Sequence, residues 1–327
     1  MNRRETVIGI LAIGVATAMR TAAQSILPLP RVIVVSNGDE AGMRPYLDSF
    51  DKGMRELGQT DGSTYRLEVR HGNRDPSRVP ALIREAVTTQ PSVIVVAGLS
   101  AARAARDATI TVPIVVTTSS DLVDAGIVSS FAHPGGNITG LNDLSDELAA
   151  KRLEILKEAL PKVSRVVLLV NPDFPATPKI ERRVMATARA LRMEIIRVDA
   201  KDPASLVSAL DSLIKIRPGA VLLGGDALFV VRAKELVERT LAMKIPLAHY
   251  WPGTAEMGAL FSHQAEIFYN FRRAAYYVDR ILKGAKPGDL PIEQPNKYEL
   301  VINLRTAKTL GLTIPQSFLV RVDRVIE

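Results

Sequence analysis

From residue 31 onward, short apolar runs rich in valine and isoleucine alternate with stretches whose apolar residues recur every three or four positions. RVIVVS (31–36) reads as a buried strand. Met43, Tyr46, Leu47, Phe50, Met54 and Leu57 then fall on one face of a helix. Further strands are predicted at 65–69, 92–97 and 113–117, with helices near 77–88 and 101–108. Near-continuous apolar strands separated by amphipathic helices predict a parallel sheet covered on both faces.

The pattern then repeats. RVIVVSNGD (31–39) aligns with RVVLLVNPD (165–173), and LEVRHGNRDPS (67–77) with EIIRVDAKDPA (194–204), which superposes an Asp-Pro helix start. SVIVVAG (92–98) aligns with AVLLGG (220–225), and TVPIVVT (111–117) with KIPLAHY (244–250). Each match alone is weak, but four in the same order at nearly constant separation indicate duplication. The expected fold class is therefore α/β: two similar doubly wound parallel-sheet lobes. HPGGNITG (133–140) supplies a turn into a crossing strand, and Leu148, Leu153, Leu156 and Leu160 line the following helix. After Tyr250 the repeat ends. GALFSH (258–263) and KYELVINL (297–304) read as strands around a helix carrying Ile267, Phe271, Ala274, Val278 and Ile281. These tail elements are expected to cross between lobes, making a multi-strand hinge. Lobe 1 is assigned 31–138 plus about 258–284, and lobe 2 139–257 plus about 290–327.

The first residues stand outside this pattern. Arg3 and Arg4 precede an apolar stretch from Val7 to Met19, followed by Thr21, Ala22 and Ala23. Such a run is too short to span a bilayer and suits a signal peptide, with cleavage expected after Ala23. The adjacent arginines leave Sec and twin-arginine export both open. No other apolar run approaches spanning length, so the mature chain is expected to be exported and not membrane-spanning. Among 327 residues there is no cysteine, which removes disulfides, thiolate metal sites and lipid attachment through an N-terminal Cys. The net charge of +7 comes from 42 basic and 35 acidic side chains that are interspersed, so a solvated basic surface is expected and nucleic acid is not a partner.

In open parallel sheets ligands sit beyond the carboxyl ends of the strands, near helix N-termini. In lobe 1 those positions hold Asn37, Gly38, Gly98, Ser100, Thr118, Ser119, Ser120 and Asp121. In lobe 2 they hold Asn171, Asp173, Phe174, Gly225, Asp226, Tyr250 and Trp251. Hydroxyls and helix-start amides can receive a carboxylate while a ring stacks on the aromatics, so a small polar or zwitterionic solute is the expected ligand. The same aspartates also suit helix caps, the glycines tight turns, and Phe174 the core. Tyr250–Trp251, an amphipathic pair before Pro252–Gly253, is expected at an interlobe edge.

Catalytic signals are poor. GLSAA (98–102) approximates a nucleophile elbow, which would make Ser100 a hydrolase nucleophile, but Ala102 replaces the final glycine. The four histidines lack metal-ligand spacing, and no dinucleotide or Walker loop is present, so no catalytic residue, metal or cofactor is expected.

HPGGNITG (133–140), LAAKRLEILKEALP (148–161), LLVNPDFP (168–175) and the stretch 281–317 resemble the substrate-binding proteins of ABC transporters in the tryptophan-binding-protein-like family. The resemblance covers essentially the whole chain from residue 31. It implies a type I periplasmic-binding-protein fold, an amino-acid-like solute held between the lobes, and delivery to an ABC permease. The ligand-facing loops would follow the strands ending at Ser36, Ala97, Thr117, Val170, Gly224 and Tyr250. Gram-positive relatives are often lipoproteins; without a cysteine to lipidate, this chain is expected free in the periplasm. A periplasmic sensory receptor feeding a signalling partner is the alternative.

Overall fold

The computed structural model describes residues 28–119, 122–143, 145–251, 253–295 and 298–327. The expected signal peptide (1–23), Ser120 and Asp121 lie outside the described residues.

The strands form two sheets. In the first, β1 (Arg31–Ser36), β2 (Arg66–His71), β3 (Val93–Val96), β4 (Ile114–Val116) and β5 (Ile138–Gly140) are parallel in the order β2-β1-β3-β4-β5. The second contains β6 (Arg165–Val170), β7 (Glu194–Asp199), β8 (Ala220–Leu223), β9 (Leu247–His249), β10 (Phe261–Ala265), β11 (Tyr298–Asn303) and β12 (Arg324–Ile326), ordered β12-β11-β10-β9-β8-β6-β7. The run β2-β1-β3-β4 matches β7-β6-β8-β9 strand for strand, so the duplication read from sequence is a duplication of topology. One detail differs. Arg66 pairs with Arg31 and Glu194 with Arg165, which sets the second strands one residue further apart than the Asp-Pro match does; the turn leading to Asp202 is one residue shorter than that leading to Asp75.

The helices explain why strands such as RVIVVS are apolar throughout. In the first lobe lie α1 (Glu40–Glu56), α2 (Val79–Thr88) and α3 (Leu99–Ala108). Ile33, Val35, Ile94 and Val96 face one core with Ile83 and Ala102 of α2 and α3. Val32, Val34, Val93 and Val95 face the other with Phe50 and Met54 of α1. Alternate residues of one strand thus serve two layers. The second lobe holds α4 (Ser145–Ala159), α5 (Thr177–Ala190), α6 (Pro203–Ile216), α7 (Ala227–Val231), α8 (Ala233–Ala242) and α9 (Thr254–Met257). Helix α6 starts in a capping box: Asp202 accepts from the Ser205 N–H at 2.7 Å, and the Ser205 hydroxyl accepts from the Asp202 N–H at 3.0 Å.

The tail departs from the boundaries expected above. The stretch 258–263, assigned to lobe 1, contributes to β10, which lies between β9 and β11 in the second sheet and runs antiparallel to β11. The chain then enters α10 (Ile267–Leu282), whose Phe271, Ala274 and Val278 complete the first lobe's core against α1. Helices α11 (Leu304–Thr309) and α12 (Gln316–Leu319) end the second lobe. Three segments therefore cross between lobes. The first and third are stitched together: Asn142 N–H donates to Glu293 O at 2.9 Å, Glu293 N–H to Gly140 O at 3.1 Å, and Arg273 grips the Glu293 carboxylate at 2.6 Å.

Candidate functional site

The carboxyl ends of both sheets point toward the crossings, and the loops there are fixed by their own backbone. In lobe 1, Arg74 N–H donates to Asn37 O at 2.9 Å and Asn73 N–H to Gly38 O at 3.1 Å, tying the turns after β1 and β2 together. Gly98 sits at φ +92°, a left-handed conformation that glycine adopts without strain, and its N–H donates to Thr118 O at 2.7 Å. Thr118 and Ser119 are buried, and Ser119 O accepts from Asp143 N–H at 2.7 Å, joining the loop after β4 to the first crossing. Ser100 lies elsewhere: it is exposed on α3 and lines an outer groove of about 310 Å³ with Pro80, Arg84, Arg103 and Asp107, a set without a histidine.

In lobe 2, Asn171 makes an Asx turn, its Oδ1 accepting from Asp173 N–H at 2.9 Å. Asp173 is exposed, whereas Phe174 is buried in the core beside Ile180, so the core reading holds for that ring. Gly225 lies over Phe174, with 3.7 Å from an added Cβ to the ring edge. Asp226 caps α7, accepting from Leu228 N–H at 2.8 Å; burial raises its carboxyl pKa, against hydrogen bonds from Leu228 and Asn171. Tyr250 is locked onto the same residue. Its hydroxyl accepts from Asp226 N–H at 3.0 Å and donates to Asp226 O, and burial pushes the phenol far up. The Tyr250 hydroxyl is therefore spent within the protein.

Trp251 stands at the seam. Its ring lies 5.7 Å from that of Tyr46 on α1, which also stacks on Phe268 at 5.0 Å. Burial pushes the Tyr46 phenol up to about 12, against a hydrogen bond from Trp251. His249 holds the Trp251 turn: its Nδ1 accepts from Trp251 N–H at 2.8 Å, leaving Nε2 to face Phe229 O at 3.4 Å. Polar contacts also join the lobes elsewhere among the described residues. Arg74 Nη2 donates to Val231 O at 3.0 Å, and Lys179 on α5 pairs with Asp124 of lobe 1. The lobes are shut on one another.

Sequence reasoning missed a buried polar group behind these loops. Arg152 on α4 has no solvent exposure; its Nη1 donates to His263 O at 3.3 Å, while Nε and Nη2 have no hydrogen-bond partner. Its guanidinium carbon lies 5.5 Å from the Tyr250 ring centroid. Asn270 on α10 is fully buried with both amide atoms unpartnered. A signal existed for each. Arg152 interrupts the row Leu148–Leu156, and Asn270 interrupts the row Ile267–Ala274, and a polar residue inside an apolar row needs a reason.

A model of the family described as ABC transporter substrate binding protein matches residues 32–326. The chain belongs to this family. A tyrosine-binding protein of Clostridioides difficile is 24% identical over 278 residues, covering 82% of this chain and 78% of the relative. Among solved structures, a Streptococcus pneumoniae ABC domain in complex with L-Trp shares 21% identity at a TM-score of 0.83, covering 91% of this chain and 100% of that one. The ligand-free, open form of a Clostridium difficile substrate binding protein with adhesive properties shares 20% at 0.65, covering 91% and 99%. These likenesses show the type I periplasmic-binding-protein fold. As members of a solute-binding family, such receptors are not enzymes, and among the described residues no helix is long and apolar enough to cross a membrane.

Proposed function

We propose that this substrate-binding protein is an exported receptor that captures a small amino-acid-like solute, aromatic or polar, between its lobes and delivers it to an ABC permease. The contact of Tyr46 with Trp251, together with the Arg74 and Lys179 links, carries this reading: the two sets of strand-end loops are brought face to face. The relatives that bind tyrosine and L-Trp point to the same solute class. Thr118, Ser119 and the α3 amino end from one lobe, and Asn171 and Asp226 from the other, would supply the polar contacts. Asp226 is the natural partner of an ammonium group, which would compensate its half-buried carboxylate. Solute favours the closed form because only there are both sets of contacts made.

Calorimetric titration with the common amino acids tests this. One class, led by tyrosine or tryptophan, is expected to bind saturably, and Asp226→Asn to weaken it about tenfold or more, as loss of a buried charge partner does. Silence across the panel overturns the reading. Trp251, the sole tryptophan, adds an optical readout for non-indole solutes, because closure places its ring against Tyr46.

A further inference from the structure

Arg152 is hard to explain as architecture. A guanidinium with no solvent exposure normally has its donors satisfied by carboxylates or carbonyls, because an uncompensated buried charge is among the costliest features a fold can carry. Here Nη1 alone is bonded, to His263 O at 3.3 Å, and the two free nitrogens, Nε and Nη2, form one edge of the fork that matches a carboxylate. Asp143 on the first crossing is the nearby acid acting on it, and the adjacent His249 and His263 rings are held neutral by burial. Tyr250 stands between this cation and an anion. Arg152 lies 5.5 Å from its ring centroid, while the Asp226 main chain holds its hydroxyl and the Asp226 carboxylate acts on it through space. Tyr250 thus lies between a fully buried cation and a half-buried acidic residue.

We propose that Arg152 is the specificity-determining charge of the site: it selects solutes bearing a free carboxylate and, with Asp226, sets the direction in which a zwitterion lies along Tyr250. The inference rests on the amino-acid reading above and deepens it. Arg152 is walled off from solvent behind Tyr250, so it acts through the field it projects in a low-dielectric floor, and a solute anion adds to the compensation that Asp143 gives from a distance.

The test compares L-tyrosine with L-tyrosinamide, which keeps the ring and the ammonium but lacks the carboxylate, by calorimetry on the full-length protein and on Arg152→Gln and Arg152→Lys. The wild type should bind L-tyrosine about tenfold or more tighter than the amide; in Arg152→Gln the gap should shrink to about threefold or less, with the amide's affinity nearly unchanged, and Arg152→Lys should restore most of it. A purely structural arginine would weaken both probes alike. Equal binding of the two probes by the wild type overturns the proposal and needs no variant to fold. So does a gap that persists in Arg152→Gln. Failure of the wild type to bind either probe or any other amino acid instead overturns the amino-acid reading, and the selection by Arg152 falls with it.

Discussion

At the scale of single residues, the two buried imidazoles make the fold acid-sensitive. Burial holds His249 and His263 down to about 3, and the Arg152 charge acts in the same direction on both. In the unfolded chain each ring takes up a proton near pH 6.5. Between these values the unfolded state binds more protons, so the stability conferred by the neutral rings is complete above about pH 6.5 and is lost as the pH falls. By pH 5 each ring should cost about 2 kcal/mol. Urea midpoints at pH 7 and pH 5 check this: the midpoint should fall markedly, and His263→Gln should remove about half of the fall. A flat profile would mean the rings are not held neutral. Protonation of His249 also removes the acceptor for Trp251 N–H, so the seam should loosen in the same window.

At the scale of elements, α1 and α10 meet almost backbone to backbone. A Cβ added at Gly53 would lie 2.4 Å from Arg272 O and 2.8 Å from the Ala275 Cβ, and the helices are pinned beside it by Glu56 and Arg272 at 2.6 Å. Gly53→Ala gains up to about 1 kcal/mol of helix propensity but must push the helices apart, so a net loss of about 1–2 kcal/mol is expected. Gly136→Ala, with open space around the added atom, should change little. Chemical denaturation of both variants decides. Such packing also marks what the sequence could convey. The duplicated strands were legible because burial on both faces writes itself as uninterrupted valine and isoleucine, as in 31–36 and 165–170. The lobe membership of β10 was not, because FSHQA says that a strand forms and not which sheet it joins; that is settled by β9 and β11 at its sides. The candidate loops were legible from the rule that ligands sit beyond strand ends. Their inner roles were not: nothing in the sequence says that the Tyr250 hydroxyl is spent on Asp226, that Ser100 turns outward, or that Arg152 is buried with two of its nitrogens unbonded.

At the scale of the molecule, function depends on the balance between shut and open lobes, and the crossings and seam contacts divide that task. The stitched segments at Asn142 and Glu293 run through the pivot and should persist in both states, whereas Arg74 to Val231 O spans the seam and exists only when the lobes meet. Removing Arg74 therefore destabilises the closed state selectively. Its side chain is 54% exposed, so the bond is worth about 1 kcal/mol and not the larger value of a buried charged donor. With open and closed forms about equally populated in the free protein, that loss passes in part into the apparent affinity, and Arg74→Ala should weaken binding about threefold. The thermal midpoint of the free lobes should barely move, since no core contact is lost. Arg44→Ala, which removes an exposed pair with Asp48 on the same lobe, is the control and should leave affinity intact. Small-angle scattering supplies the independent measurement. Without solute, Arg74→Ala should show a larger radius of gyration than the wild type, and saturating solute should bring the two together; an unchanged radius with weakened binding would place Arg74 on the solute itself and not on the seam.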